Sequence, residues 1–247
     1  MKRPKIEHLV NIILFEDREV GLPLRRDDHR VIHMLDVLRR KLGESTDVGI
    51  VDGPRGKAVL KSVGDEYVEL EFEWDNVPEI LMPIDLVVGL SRPQTSRRVL
   101  QEATSLGVRQ ISFVHTERGE PSYATSKLWT TDEWKRLVRG GVQQAFTTRF
   151  PRIQIGVELA DSIAATNSVN TRICLDNYES SLGLLDAVSS AESIVLAIGS
   201  ERGWTDNERN LFRKNGFTLA HLGERPLRTE TAAIAAISIV AARMQRG

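Results

Sequence analysis

The second half of the chain alternates short apolar runs with amphipathic segments. This pattern predicts strands over Ile84–Leu90, Gln110–Val114, Ile153–Val157, Arg172–Leu175, Ile194–Ile198 and Phe217–His221. Helical spacing predicts helices over Ser96–Leu106, closed by Gly107, and Thr131–Phe146, which ends before Pro151. Strands that alternate with helices predict an α/β unit with a mostly parallel sheet covered on both faces.

The first part of the chain follows a different period. Between Tyr67 and Trp74 apolar and acidic residues alternate, which predicts a strand with one face inward and one in water. With Asp47–Asp52 and Lys57–Val63 this strand predicts a meander, and we expect a small barrel. His8–Phe15 is a further strand candidate, and Asp27 or Asp28 is suited to cap a helix. Residues 75–83 resemble a linker, so the predicted domains are 1–76 and 84–247.

Composition excludes several classes of protein. The 247 residues include 33 Lys plus Arg, 34 Asp plus Glu and a single cysteine, Cys174, which indicates an ordered chain without an intramolecular disulfide. His and Cys do not cluster at metal-ligand spacing, and the apolar run Ala232–Met244 is shorter than the ~20 residues that span a bilayer. We therefore expect a cytoplasmic protein with no metal and no membrane contact.

Charge is distributed unevenly in this nearly neutral chain. Residues 65–85 carry eight acidic residues and no basic one, whereas residues 91–152 carry eleven basic against five acidic residues. A further basic group lies near the N-terminus. The segregation favours a phosphate-binding face, although solvated helix faces explain it equally well.

Two loops that follow predicted strands are the strongest candidates for a site, because parallel sheets bind ligands beyond the carboxyl ends of their strands. The first loop begins at Gly199 and leads into Thr205–Glu208, which has the pattern of a capping box. The second runs from His221 to Ala232 and places Arg225, Arg228 and Glu230 before an apolar helix. Neither loop has the glycine pattern of a dinucleotide site or a P-loop. From residues alone, two tight turns remain the simpler interpretation.

The sequence as a whole resembles a known family. The matching segments are the His33–Gly43 helix, the Arg92-Pro93 turn, Arg98–Val108, Gln144–Pro151, both loops and, most specifically, Leu222–Ala232. They are similar to the ribosomal RNA small-subunit uridine N3-methyltransferases of the SPOUT superfamily. The resemblance implies an N-terminal PUA-like RNA-binding barrel and a C-terminal α/β domain with a deep trefoil knot. It also implies S-adenosylmethionine as cofactor, a homodimer, and 16S ribosomal RNA or the small ribosomal subunit as partner.

The resemblance also assigns site residues. Those expected to hold the cofactor are Leu175, Gly199, Glu201, Gly203, Leu222, Gly223, Arg225, Leu227 and Thr229. Arg228 is expected to stabilise negative charge that develops on the uracil, and Glu230 either accepts its N3 proton or forms an ion pair with Arg228. From their clustering, Arg25, Arg26, Arg30, Arg92, Arg97 and Arg98 are expected to contact RNA phosphates.

The first loop departs from the family pattern. The family has Gly-Pro-Glu-Gly-Gly where this chain has Ser200 and Arg202 at the second and fourth positions. An arginine would be strained if that position needed a positive φ, so we expect Arg202→Gly to tighten cofactor binding. Two alternatives remain: an RNA-binding or ribosome-binding factor that has lost methyl transfer, and a methyltransferase of another RNA.

Overall fold

The computed structural model describes residues 11–75, 80–166, 168–188 and 192–244. The chain divides into two compact units. The first comprises Met1–Ile80 and Val142–Phe150, and the second comprises Leu81–Gly141 and Pro151–Gly247.

The elements of the described residues are numbered in chain order. The strands are β1 (Ile13–Phe15), β2 (Leu24–Arg25), β3 (Ser45–Ile50), β4 (Arg55–Val63), β5 (Tyr67–Trp74), β6 (Met82–Gly89), β7 (Val108–His115), β8 (Arg152–Glu158), β9 (Thr171–Leu175), β10 (Ile194–Ile198) and β11 (Thr218–Ala220). The helices are α1 (His29–Ile32), α2 (Pro93–Ser105), α3 (Lys127–Thr130), α4 (Glu133–Gln144), α5 (Leu159–Ala165), α6 (Leu184–Ala187), α7 (Asp206–Lys214) and α8 (Thr229–Met244).

The first unit contains one five-stranded sheet in the order β1-β3-β4-β5-β2. Only β1 and β3 pair in parallel. Val68 on β5 is fully buried while Glu69 is exposed, as the alternation predicts. Before α1, the side chain of Asp28 accepts a hydrogen bond from the Arg30 amide at 2.8 Å, so Asp28 is the capping residue. The part of the His8–Phe15 strand candidate before residue 11 lies outside the described residues.

The helix expected over His33–Gly43 is shorter in the structure. α1 continues as a wider turn over His33–Val37, and Leu38 closes it with a hydrogen bond to the His33 carbonyl. Arg39 then adopts a φ of 53°, a left-handed conformation that ends helical hydrogen bonding. The basic residues that follow therefore do not lie on a helix face.

Residues 142–150 belong to the first unit, whereas the sequence placed them in the domain 84–247. The hydroxyl of Thr148 donates to the Gly53 carbonyl at 2.6 Å, and the Asp52 amide donates to the Thr148 carbonyl at 2.8 Å. A guanidinium nitrogen of Arg55 donates to the Phe146 carbonyl at 3.1 Å. Hydrogen bonds between residues so far apart in sequence leave no periodic signal, which is why the pattern did not reveal them.

The second unit is built on a six-stranded, fully parallel sheet in the order β11-β9-β10-β6-β7-β8. The predicted α/β architecture is confirmed, and each predicted strand is present with ends shifted by a few residues. β10 is buried along its whole length, as expected of a central strand with helices on both faces. Aromatic residues Trp204, Phe212 and Phe217 complete the core on one side of the sheet.

The apolar helix Ala232–Met244 has no polar face, so the sequence predicts burial on every side, partly by a second copy of the chain. α8 buries one face through Ala233, Ala236, Ile237 and Val240, while Thr231, Ile234 and Ser238 are exposed within this chain. Alanines and isoleucines occupy both faces of the helix, and cover of the exposed face by a second copy stays a prediction. None of the helices formed by the described residues is long and apolar enough to cross a membrane.

Candidate functional site

A pocket lies in the second unit where β9, β10 and β11 end. Its cavity volume is about 150 Å³, or about 680 Å³ when the adjoining space open to solvent is included. Three loops and the start of α8 form its walls. The lining residues are Leu175, Asp176, Asn177, Tyr178, Gly199, Ser200, Glu201, Gly203, Trp204, Leu222, Pro226, Leu227, Thr229 and Ala232.

The loop after β10, residues 199–204, turns sharply because two glycines approach each other. A Cβ on Gly199 would lie 3.0 Å from the Cα of Gly203, closer than such atoms normally pack. Gly203 has a φ of +64° and its amide donates to the Ser200 carbonyl at 2.9 Å. The expectation that Arg202 is strained is wrong, because the left-handed conformation falls on Gly203 and Arg202 does not share it.

The loop 199–204 is held by hydrogen bonds from several directions. The Glu201 carboxylate accepts from the Arg92 amide at 3.0 Å, and the Thr229 hydroxyl donates to the Gly199 carbonyl at 3.3 Å. The indole of Trp204, 1% exposed, donates to the Leu175 carbonyl at 3.2 Å. These contacts join the loop to α2, α8 and β9, so its backbone is positioned before any ligand arrives.

Helix α7 begins directly after this loop with the predicted capping box. The Thr205 hydroxyl accepts from the Glu208 amide at 3.2 Å, and the Glu208 carboxylate accepts from the Thr205 amide at 2.7 Å. The same carboxylate accepts from the Glu117 amide at 2.8 Å, although Glu208 is only 4% exposed. The capping box therefore also fixes the loop that follows β7.

Sequence reasoning missed the turn after β9, apart from Leu175. The Asp176 carboxylate is buried, accepts from the Tyr178 and Glu179 amides at 2.9 and 2.7 Å, and pairs with the Arg209 guanidinium at 2.7 Å. Desolvation lowers the pKa of Arg209, but the carboxylates around it, led by Asp176, raise that pKa overall. The only signal in the sequence was an acidic residue placed after an apolar strand.

The loop after β11 is more open. Residues 223–228 are all exposed, and Gly223 has a φ of +113°. Leu222 and Leu227 line the pocket, as expected, whereas Gly223 and Arg225 do not. The Gly223 amide donates to a ring nitrogen of His221 at 3.0 Å, so it points back to its own loop.

The two candidate catalytic residues are not paired with each other. Arg228 is exposed, and Glu230 is 8% exposed in the first turn of α8. A guanidinium nitrogen of Arg98, on α2, donates to the Glu230 carboxylate at 3.2 Å. The expected ion pair of Glu230 with Arg228 is therefore replaced by one with Arg98, whose side chain remains 65% exposed.

The six arginines expected to contact RNA differ in environment. In the first unit Arg30 is a structural residue: its side chain is 10% exposed, it pairs with Glu19 and Asp28, and it lies over the Phe15 ring. That assignment was wrong because clustering of charge does not reveal burial. Arg25 is exposed and pairs with Asp27, and Arg26 is exposed.

In the second unit, Arg97 forms two hydrogen bonds with the Glu133 carboxylate, one of them at 3.1 Å. That bonding raises the pKa of Arg97 and lowers the pKa of Glu133. Arg92 is exposed and precedes α2. Within the described parts of the chain no group of three or more His, Cys, Asp or Glu is arranged to hold a metal ion.

Comparison with known proteins identifies the family. A model of the RNA methyltransferase domain matches residues 78–241. The ribosomal RNA small subunit methyltransferase E of Treponema pallidum is 35% identical over 94% of this chain and 91% of its own length. The chain belongs to this family of RNA methyltransferases. The resemblance noted in the sequence is thereby confirmed, and with it the SPOUT fold of the second unit.

Two further relatives of the family extend over nearly the full chain. The ribosomal RNA small subunit methyltransferase E 1 of Borreliella burgdorferi is 28% identical over 94% of this chain and 97% of its own length. A crystal structure of a ribosomal RNA small subunit methyltransferase E from Neisseria gonorrhoeae, bound to S-adenosyl methionine, superposes with a TM-score of 0.76. It is 25% identical and covers 93% of this chain and 96% of that one.

Proposed function

We propose that this methyltransferase uses S-adenosylmethionine to methylate N3 of a uridine in 16S ribosomal RNA in the cytoplasm. The observation that carries the proposal is the convergence of three loops at one pocket, in a chain that belongs to the methyltransferase family. The relative from Neisseria gonorrhoeae binds the same cofactor, and the relatives are named for the small-subunit RNA.

The residues of the pocket suit this cofactor. Leu175, Leu222 and Leu227 offer apolar contact, as an adenine ring requires, and the close approach of Gly199 to Gly203 leaves room for backbone contact that a Cβ would block. Glu201 and Thr229 supply polar atoms at the wall. We propose that these seven residues hold the cofactor, and that Gly223 and Arg225 reach it only through movement of their exposed loop.

The cofactor supplies an electrophilic methyl group, and the chain must prepare the acceptor. N3 of uracil carries a proton, and removing it leaves negative charge on the neighbouring oxygens. We assign stabilisation of that charge to the guanidinium of Arg228, because Arg228 is exposed and lies one residue before Thr229, which lines the pocket. Holding the uracil in line with the methyl group contributes further rate.

Glu230 has two possible roles, which one variant separates. Acting as the base, it would take the N3 proton, and Glu230→Gln would then lose activity severely, with a residual rate that rises steeply with pH as the uracil ionises unaided. Acting only to orient Arg98, it would be replaced by glutamine with much of the activity retained and an unchanged pH profile. The bond to Arg98 at 3.2 Å supports the orienting role.

The phosphate-contacting residues that we propose are Arg25, Arg26, Arg92 and Arg98, which are all exposed. Each lost contact lowers the slope of log affinity against log salt by about one unit. Arg97 provides a matched control on α2: its side chain is 34% exposed and makes two hydrogen bonds to Glu133, whereas the Arg98 side chain is 65% exposed and pairs with Glu230. We expect Arg98→Ala to weaken RNA binding and Arg97→Ala to weaken it less. Equal RNA affinity of Arg98→Ala and the parent at low salt would remove Arg98 from the set.

Three features of the family are carried as part of the proposal: a PUA-like barrel in the first unit, a trefoil knot in the second, and a homodimer. Exposed apolar residues Leu182, Leu185 and Ile234, the last on α8, support a partner surface. Sedimentation should show a dimer at micromolar concentration. A monomer under those conditions would contradict the dimer.

Mass spectrometry of ribosomal RNA nucleosides from cells with and without the gene tests the proposal. We expect 3-methyluridine in 16S RNA to disappear without the gene and to return with the parent chain but not with Arg228→Ala. Loss of a methylated nucleoside from transfer RNA would instead identify another substrate. Calorimetry tests the cofactor separately, because a factor that has lost methyl transfer through its altered first loop should give little or no heat with S-adenosylmethionine.

A further inference from the structure

An aromatic side chain at the rim of the pocket is unusually open. Tyr178 lines the pocket but is 79% exposed, whereas the other aromatic residue of the lining, Trp204, is 1% exposed. A large aromatic side chain left in water at a ligand site is a frequent sign of a binding role.

The backbone of Tyr178 is fixed although its ring is open. The Asp176 carboxylate accepts hydrogen bonds from the amides of Tyr178 and Glu179. The Asp176 side chain is only 2% exposed and is also bonded to Arg209. A turn held by a buried ion pair loses little conformational freedom on binding, so Tyr178 is presented as a rigid platform.

One face of the ring already has a partner. The guanidinium carbon of Arg209 lies 5.4 Å from the ring centroid, within the range of a cation–π contact. Arg209 is itself 5% exposed and bonded to Asp176 and Asp206, at 2.7 and 2.8 Å. The cation therefore supports the ring from one side, and most of the remaining ring surface faces solvent.

The charge around the pocket indicates the class of ligand. Arg202, Arg225 and Arg228 are exposed on the two loops that border the pocket, against Glu201 and Glu224 on the same loops. Exposed cations and an open aromatic ring around one site are the combination that binds single-stranded nucleic acid, with phosphates on the cations and a base on the ring.

We propose that Tyr178 stacks on an unpaired nucleobase of the RNA substrate at the entrance of the methyl-transfer pocket. The proposal rests on the proposed function, which supplies the RNA. Because stacking reads the face of a base and not its edge, Tyr178 would contribute affinity and placement, while the choice of uracil depends on other groups.

The test compares Tyr178→Phe, which keeps the ring, with Tyr178→Leu, which keeps apolar bulk without it. Trp134→Leu is the control, since Trp134 is a partly exposed aromatic residue of the same unit outside the pocket lining. The probe is the small ribosomal subunit, purified from cells without the gene. Binding is measured without methyl donor, and S-adenosylmethionine binding is measured separately by calorimetry.

We expect Tyr178→Leu to raise the Kd for the subunit by about 10-fold to 100-fold, the range of one lost stacking contact. Tyr178→Phe and Trp134→Leu should stay within about three-fold of the parent. The cofactor Kd and the sedimentation coefficient should not change in any variant.

Three outcomes would overturn the inference. A higher cofactor Kd with unchanged subunit binding would place the ring on the cofactor, and a changed sedimentation coefficient would place it in a contact between two copies of the chain. Parent-like values in every measurement would mean that the ring has no binding role. If the parent chain itself failed to bind the subunit, the proposed substrate would be wrong. That failure is distinguishable from failure of the Tyr178 inference, because it is seen in the parent alone and does not depend on any variant.

Discussion

The two loops that border the pocket differ in how the chain holds them. The loop 199–204 is tied to α2, α8 and β9 by the contacts of Glu201, Gly199 and Trp204. Residues 223–228 are exposed throughout. Within the described part of the chain their hydrogen bonds are local, from the Gly223 amide to His221 and from the Ala232 amide to the Arg228 carbonyl.

This difference gives the two loops different roles in the site. A loop fixed in advance binds a ligand without paying for its own ordering, which suits a cofactor that must be held in one orientation. An open loop that carries Arg225 and Arg228 can adjust when a second, larger substrate arrives. We call residues 199–204 the fixed loop and residues 223–228 the open loop. We expect substitutions in the fixed loop to affect stability and cofactor binding, and substitutions in the open loop to affect catalysis.

Removing the anchor of the fixed loop should have the largest effect. Trp204→Ala deletes a buried side chain that packs edge-on against Phe212 with ring centroids 4.8 Å apart. We expect the free energy of unfolding to fall by about 3–5 kcal/mol, measured by denaturant titration. Leu227→Ala, on the open loop, is the control and should change it by less than about 0.5 kcal/mol, because Leu227 is 41% exposed. Equal losses in both variants would remove the distinction between the loops.

Arg228→Ala tests the open loop from the side of catalysis. We expect the rate of methyl transfer to fall by about 10²–10³-fold, since one electrostatic contact to the transition state is lost. The melting temperature and the cofactor Kd should remain those of the parent because the side chain is exposed. A stable variant with full activity would show that Arg228 does not act on the uracil.

A smaller effect is expected where the fixed loop meets α2. Glu201→Ala removes the acceptor of the Arg92 amide, and we expect the Kd for S-adenosylmethionine to rise about five-fold, equivalent to about 1 kcal/mol for one hydrogen bond. Glu201→Gln keeps an acceptor oxygen and should lie between Ala and the parent. Calorimetry that gives the same Kd for all three chains would contradict the role of this bond.

The smallest effect is expected at Arg202, where the structure reverses the prediction from sequence. Because the positive φ belongs to Gly203, Arg202→Gly relieves no strain and only adds freedom to the loop. We expect the cofactor Kd to rise slightly, by about two-fold to five-fold. Tighter binding of the variant would restore the strain hypothesis that the backbone geometry argues against.

Much of the fold was predictable because its signals are local. Apolar runs mark the strands of the parallel sheet, and the spacing of Thr205 and Glu208 marks the start of α7. The alternation in β5 identified its buried face for the same reason. The periodicity did not predict that residues 142–150 belong to the first unit. Their attachment depends on hydrogen bonds between residues far apart in the sequence, such as that from Thr148 to Gly53.

The candidate site was found only in part for a similar reason. Gly199 and Leu222 lie in loops with recognisable composition, and the family resemblance reinforced them. The bond between Arg98 and Glu230 joins residues far apart in the chain, and Tyr178 follows no motif, so neither pattern was visible before the structure. Arg30 is an error of the opposite kind, because the sequence predicted a site residue where the structure has a structural one. Its side chain is buried and pairs with Glu19 and Asp28, although it belongs to a basic cluster in the sequence.

Amide hydrogen exchange tests the contrast between the loops most directly. Peptides that cover residues 199–204 and 222–228 are compared by mass spectrometry with and without S-adenosylmethionine. We predict that the first peptide is protected before the cofactor is added, and that the second exchanges quickly until the cofactor slows it. Equal exchange of both peptides in the free protein, or no change in either when the cofactor is added, would contradict the account.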